Sequence, residues 1–227
     1  MSLSEEFKQC RIVDLSKALE PGKATGPIDT GKRRLEVRKF SYPPGETMHE
    51  IDMETHIGTH IEAPCHYVDV RYGRTGMDIG QIPLEKLFGD AILVDLKDFG
   101  VSAPLTPAYL EKIGVREDDI VLIGNARQSG RERPYIAKEA AQWLAERRVK
   151  LVGIDDSVYP EEPQYLLTSL ERYYTHDHLL SNDIPLIEGL ANLDKLTAER
   201  FFFIGFVVPI RQIEAFPIRA VAFERRG

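Results

Sequence analysis

The stretch AILVDLKDFGVSAPLTPAYLEKIGVREDDIVLIG, Ala91 to Gly124, reads as strand, helix, strand and decides the fold class. AILVDL (91–96) and DIVLIG (119–124) are short apolar runs of buried-strand length. Between them, TPAYLEKIG (106–114) puts Thr106 at an N-cap, Pro107 at the first helical position and Gly114 just past the end. The alternation then continues. IAKEAAQWLAERR (136–148) sets Ile136, Ala140, Leu144 and Arg147 on roughly one helix face, and KLVGID (150–155) follows as a third buried strand. Such alternation pairs strands in parallel through right-handed crossovers, so the chain is expected to be α/β.

Outward from this unit, RFFFIGFVVPI (200–210) and RAVAFE (219–224) are predicted to return to the same sheet as central strands. The first third predicts strands at RIVDLS (11–16), RLEVRKFSY (34–42) and HEIDMETHIGTH (49–60). They are separated by the Gly/Pro-rich loop EPGKATGPIDTGK (20–32) and the turn PPGE (43–46). No repeat, low-complexity tract or linker divides the chain. One domain over 1–227 is expected, a β-rich first third leaning on a mixed sheet.

A chain of 227 residues buries about 70–75% of its unfolded surface and needs no staples. The net charge of −7 argues against nucleic acid, which wants a basic stripe; the run Lys32-Arg33-Arg34 reads as a solvated face. Two cysteines, Cys10 and Cys65, argue against a disulfide framework and for a reducing compartment, and no zinc knuckle can be built from them. With no signal-peptide pattern and no apolar run of about 18 residues, a cytoplasmic protein without membrane partners is expected. Gly-x-Ser-x-Gly, Walker and dinucleotide motifs are absent, which removes support for acyl-serine, nucleotide and nicotinamide chemistry.

The sequence concentrates histidine instead. All six fall in two places: His49, His56, His60 and His66 in one, His176 and His178 in the other. Around HIGTHIEAPCH (56–66), Gly58, Pro64 and the β-branched Thr55, Ile57 and Thr59 disfavour a helix. Read as one extended segment, Asp52, Glu54, His56, Gly58, His60 and Glu62 share a face, opposite a mostly apolar row. Imidazole, imidazole and carboxylate can then reach one ion at about 2.0–2.2 Å. The second cluster, THDHLLSNDIPLIEGL (175–190), offers His176, Asp177, His178, Asp183 and Glu188, and spacing alone does not choose between its histidines. Glu188 follows an apolar run, at a strand end where α/β folds place their sites. Asp155 and Asp156 either orient a ligand histidine or finish a strand. Cys65 reads as a packing residue, and Arg127 and Arg131 as an exposed loop.

HIGTHIEAPCH resembles the His-x-Gly-Thr-His-x-Asp-x-Pro-x-His signature of the metal-dependent cyclase family, whose members include bacterial kynurenine formamidase and isatin hydrolase. VDLSKALEPG (13–22), RPYIAKEAAQWLAERRVKLVGID (133–155) and HDHLLSNDIPLIEGLANLDKL (176–196) are similar to further segments of that family. The resemblance implies a swivelling β/β/α sandwich with a mixed sheet, assembled as a homodimer or homotetramer. It implies His56, His60, Glu62, His176 and Glu188 as metal ligands and His66 as the catalytic histidine. The family's twelve-residue spacing from ligand histidine to ligand glutamate selects His176 over His178. Glu62 stands where the family has aspartate, one methylene longer. The early tryptophan that stacks on substrate in the kynurenine formamidases has no counterpart in GKATGPIDTGKRR (22–34); the only tryptophan is Trp143, on a predicted helix.

The implied cofactor is a divalent metal, zinc first and manganese second, as one or two ions. Such an ion activates water and polarises a carbonyl, with His66 moving protons. The expected reaction is hydrolysis of an amide, formamide or lactam C–N bond in a small molecule. Alternatives are a lactone or ester hydrolase, a polyketide-type cyclase or dehydratase on the same site, and a non-catalytic metal-binding module.

Overall fold

The three strands read from Ala91 onward pair in parallel at the centre of one large sheet. The computed structural model describes residues 2–23, 35–43, 45–163 and 170–225. Its early strands are β1 (Cys10–Asp14), β2 (Leu35–Tyr42), β3 (Glu46–Met53) and β4 (His60–Glu62). The middle ones are β5 (Phe88–Asp95), β6 (Pro104–Leu105), β7 (Ile120–Gly124), β8 (Tyr135–Ile136) and β9 (Leu151–Asp155). The last are β10 (Leu186–Leu190), β11 (Arg200–Phe206), β12 (Ala215–Pro217) and β13 (Arg219–Arg225). The helices are α1 (Leu3–Lys8), α2 (Cys65–Tyr72), α3 (Pro107–Lys112), α4 (Lys138–Glu146) and α5 (Tyr174–Leu180).

The large sheet runs β1-β13-β11-β5-β7-β9-β10-β4-β12. Its β5, β7, β9 and β10 are mutually parallel, and antiparallel strands flank them on both sides. All of β7 is buried, because a strand covered on both faces reads as an unbroken apolar run. Val121 and Ile123 face a core shared with Leu110, Ala140, Leu144 and Leu179 of the helices. Ile120 and Leu122 face a second core, where Val13, Ile61, Phe203 and Ala220 of the outer strands meet them as the sheet curls over itself. The outcome is the expected mixed-sheet α/β architecture, with helices on one face of a sheet folded back along the other.

Pro107 opens α3 as read, and Gly114 follows it at φ +79°. Ile136 belongs to β8, not to α4, while Arg147 leaves the apolar face and lays its guanidinium 4.5 Å from the Trp143 ring. The late strands return to the sheet, although 207–210 lie outside β11. The loop 22–34 is described only to Lys23, so its aromatic content in space and the Lys32–Arg34 run fall outside the described residues. No helix among the described residues is long and apolar enough to cross a membrane.

The single extended segment expected over 52–62 is not formed. β3 stops at Met53, the chain turns at Gly58 (φ +58°), and β4 starts at His60. The cause is a backbone contact with β10. A Cβ on Gly189 (φ +70°) would collide with the Gly58 carbonyl oxygen, so the missing side chain at 189 lets the segments touch main chain to main chain, while a Cβ on Gly58 would meet Leu19 instead. Buried Thr59 ties the junction, donating to Gly189 O at 2.7 Å and accepting from Lys17 N at 2.9 Å. Gly189→Ala adds both a strained φ and a collision. It is expected to cost on the order of 2 kcal/mol, lowering Tm by about 4–8 °C in a calorimetric scan; an unchanged Tm would contradict this packing.

Candidate metal centre

Residues from four elements and their connecting loops converge on the carboxylate of Glu62. Glu62 and His60 lie one residue apart on β4 and share a face, while Ile61 between them points into the curled-sheet core. Alternation holds over these three residues, as expected of a strand. The bend at Gly58 folds His56 back, so that its ring centroid lies 5.0 Å from that of His60. Pro64 then starts α2 and Gly73 ends it in the left-handed region, which puts His66 in the first turn of a helix. His176 comes from α5, and Glu188 sits on β10 directly opposite His60.

Glu62 Oε1 is 3.0 Å from His56 Nδ1, 3.7 Å from His60 Nε2 and 3.8 Å from His66 Nε2. Its Oε2 is 3.3 Å from His176 Nε2. Glu188 approaches His60 Nε2 to 3.9 Å and His176 Nε2 to 4.0 Å. Two sets of ligand atoms are each close enough to hold one ion: His56, Glu62 and His66, and His60, Glu62 and Glu188. The six residues singled out in sequence therefore meet at one place. His49 does not join them, being exposed on β3, and His178 is absent from the cluster's contacts.

The donor set fits a cation. His60 Nε2 is buried without a hydrogen-bond partner, a costly condition that a coordinated ion relieves, and Glu62 Oε2 has only its 3.3 Å contact with His176 Nε2. The ionisable groups are also strongly coupled to one another. Burial raises Glu188, and the Glu62 carboxylate beside it raises it further. Burial works against Glu62 too, but the surrounding imidazoles hold its carboxyl well below the usual range. Burial opposes a charge on His176, yet Glu161 and Glu62 push its imidazole well above the ordinary value. His66 differs: burial holds it below its ordinary value despite the pull of Glu62, with the His56 and His176 charges acting in the same direction as burial. Its side chain is 32% exposed against 3% for Glu62, which places it at the mouth of the cluster.

Each of the three remaining imidazoles has its second nitrogen fixed by an acceptor. His60 Nδ1 lies 3.2 Å from Gly58 O, His176 Nδ1 2.6 Å from Glu161 Oε1, and His56 Nε2 3.2 Å from Glu214 Oε1. A proton held there leaves the other nitrogen free to ligate, the usual outer support of a metal-binding histidine. Glu161 and Glu214 were not found in the sequence. They lie outside both histidine clusters, Glu161 in the loop after β9 and Glu214 just before β12, and no spacing rule ties them to their partners. Glu214 is held in turn by Thr55, which donates to it at 2.6 Å.

Asp155 finishes its own strand, accepting from Asn125 N, Ser157 N and Ser157 Oγ, and Asp156 pairs with Lys17 at 2.5 Å. Of the two readings of these aspartates, the strand end is the one that forms. Burial pushes the Cys65 thiol up to about 11, so it packs without becoming a nucleophile. Arg127 pairs with Asp98 on an exposed loop, at 3.5 Å.

The model of the cyclase family, described as "Putative cyclase", matches residues 13–158, more than half of the chain. A kynurenine formamidase of Erythrobacter litoralis is 29% identical over 226 residues, covering 98% of both chains. Isatin hydrolase A from Labrenzia aggregata superposes with a TM-score of 0.80 at 22% identity, over 99% of this chain and 96% of its own, a likeness of fold. A predicted metal-dependent hydrolase from Bacillus stearothermophilus aligns at 26% identity with a TM-score of 0.73, over 95% of this chain and 99% of its own.

Glu161→Gln keeps the shape of the buried carboxylate but removes its charge from His176. The expected result is a 10- to 100-fold weaker hold on metal, read as metal remaining per chain after dialysis against a competing chelator. Retention equal to the unsubstituted protein would show that Glu161 does not support the site.

Proposed function

The chain belongs to the cyclase family, and from that membership we propose that it is a metal-dependent hydrolase cleaving a C–N bond of a small formamide, amide or lactam. One cyclase-like hydrolase domain spans 1–227. The observation that carries the reading is the buried Glu62 carboxylate, surrounded by four imidazoles and by Glu188, with His60 Nε2 lacking a hydrogen-bond partner. His56, His60, Glu62, His176 and Glu188 are the proposed ligands.

A divalent ion held there supplies an acidified water and a Lewis acid for the carbonyl. His66 is the proposed catalytic residue, because it is the imidazole nearest solvent and has no acceptor fixing it among the hydrogen bonds described above. Its Nε2 takes the proton of the attacking water and delivers it to the leaving nitrogen, and its depressed basicity keeps it in the accepting form near neutrality. Glu161, Glu214 and Gly58 O keep the ligand rings from turning.

Nitrogen and oxygen donors suit zinc first and manganese second. One or two ions are proposed, because Glu62 is common to both groups of potential ligand atoms; His66, which belongs to one of those groups, is assigned to proton transfer and not to ligation. The free thiols of Cys10 and Cys65 support a reducing, cytoplasmic setting. A homodimer or homotetramer is the proposed assembly.

His66→Ala is expected to keep its metal while turnover of an aryl formamide or lactam falls by about 10²–10⁴-fold. Unchanged turnover would remove His66 from the chemistry. His60→Ala has the opposite signature, with metal lost on purification; full occupancy measured by mass spectrometry would refute His60 as a ligand.

A further inference from the structure

The N-terminal ends of β7, β9 and β10 frame an open cavity of about 420 Å³, a volume within the range of small-molecule sites. Asp118 lines it from the turn before β7, Val149 and Lys150 from the turn before β9, and Ile184 from the turn before β10. Glu85 and Lys86, just before β5, complete one side. Glu188 lies four residues past Ile184, about 13 Å along an extended chain, so the cavity is distinct from the metal cluster.

Two ammonium groups there lack a counter-ion. Lys86 is half-buried, and among the described residues its Nζ makes no hydrogen bond or ion pair. Burial holds its basicity below the ordinary value and the Lys150 charge pushes the same way, against the longer-range pull of Asp183 and Asp118. Lys150, also half-buried, reaches only the Phe88 carbonyl oxygen, at 3.4 Å. Gly89 makes room for it, since a Cβ there would lie 2.8 Å from Lys150 Nζ. Half-buried charges without partners are costly, and an anion between the two relieves both. Arg148, which also lines the cavity, is already neutralised by Glu117. The opposite sign stands on the rim: Asp118 and Glu85 are exposed and make no ion pair among the described residues. Val149 and Ile184 are buried and give the cavity an aliphatic wall.

We infer that this cavity is a second binding site, for a free α-amino acid with an aliphatic side chain. Its carboxylate lies between Lys86 and Lys150, its ammonium faces Asp118, and its side chain rests on Val149 and Ile184. Such a zwitterion uses both signs of charge and the apolar wall at once, whereas a simple anion leaves the rim carboxylates facing it. The turn 181–184 joins α5 to β10, the elements that carry His176 and Glu188, so the bound amino acid sits beside the segment that links two of the proposed metal ligands. The inference itself depends on neither metal nor hydrolysis.

The test is calorimetric titration of the full-length protein with L-leucine and L-valine, beside 4-methylpentanoate, which lacks the ammonium, and 3-methylbutylamine, which lacks the carboxylate. The expected result is saturable binding of an amino acid with a Kd of about 1 mM or below. Lys86→Met, Lys150→Met and Asp118→Asn, verified as folded by circular dichroism, are each expected to weaken it about tenfold or more, the worth of a hydrogen bond to a charged group. The two truncated probes are expected to lose as much. Absence of binding by both amino acids at about ten times that concentration overturns the site. Binding that the lysine variants leave unchanged places it elsewhere and overturns the inference too, and 4-methylpentanoate binding as tightly as leucine overturns the choice of an amino acid. If the lysine variants do not fold, amide exchange of the unsubstituted protein decides. Exchange slowed by leucine over 116–119, 147–150 and 181–184 supports the site, and exchange unaltered there overturns it.

Discussion

The burial of the Glu62 carboxylate is the constraint on which the rest depends. An ionised carboxylate taken out of water costs several kcal/mol unless positive charge and hydrogen bonds replace its hydration. Everything around Glu62 supplies that replacement: the bend before β4, the first turn of α2, the middle of α5 and the opposing position on β10 each bring a group to it. Four imidazoles and a second carboxylate within reach of one buried oxygen pair are too many for a packing role, because burial and the neighbouring Glu62 both oppose a charge on Glu188. A divalent cation satisfies the whole set.

The sheet holds this arrangement fixed. β4 and β10 are neighbours, and the Gly58–Gly189 contact lets the histidine segment press against the strand that carries Glu188. Both faces of the central strands are covered, one by helices and one by the curl of the sheet, so the strands have little freedom to shift. The outer acceptors Glu161, Glu214 and Gly58 O orient the rings. The site thus rests on rigid elements, while His66, on the first turn of a short helix, keeps access to solvent.

Much of this was legible in the amino-acid sequence because it depends on local rules. The Thr106-Pro107…Gly114 punctuation marked α3, and the apolar runs of β5, β7 and β9 carried their double-faced burial openly. The density of histidine and acid in two segments marked the site, and the family signature sorted His176 from His178, which spacing did not. What failed was alternation across Gly58: a strand period was extended through residues whose path is set by a contact with β10, far away in sequence. Glu161 and Glu214 escaped for the same reason. Their roles come from tertiary contacts to rings 15 and 158 residues away along the chain, and no local pattern encodes such a pairing. The exposed β2–β3 ribbon was legible as two strands and a turn, but not as a ribbon standing apart from the main sheet.

The central claim is that the Glu62 cluster binds a divalent cation. It is tested most directly by the metal content per chain of the unsubstituted protein, purified without chelator and without a nickel column. The account predicts zinc or manganese near one equivalent, or near two if Glu62 bridges both ligand sets. Protein that is metal-free as purified, and that takes up neither zinc nor manganese on addition, would contradict it.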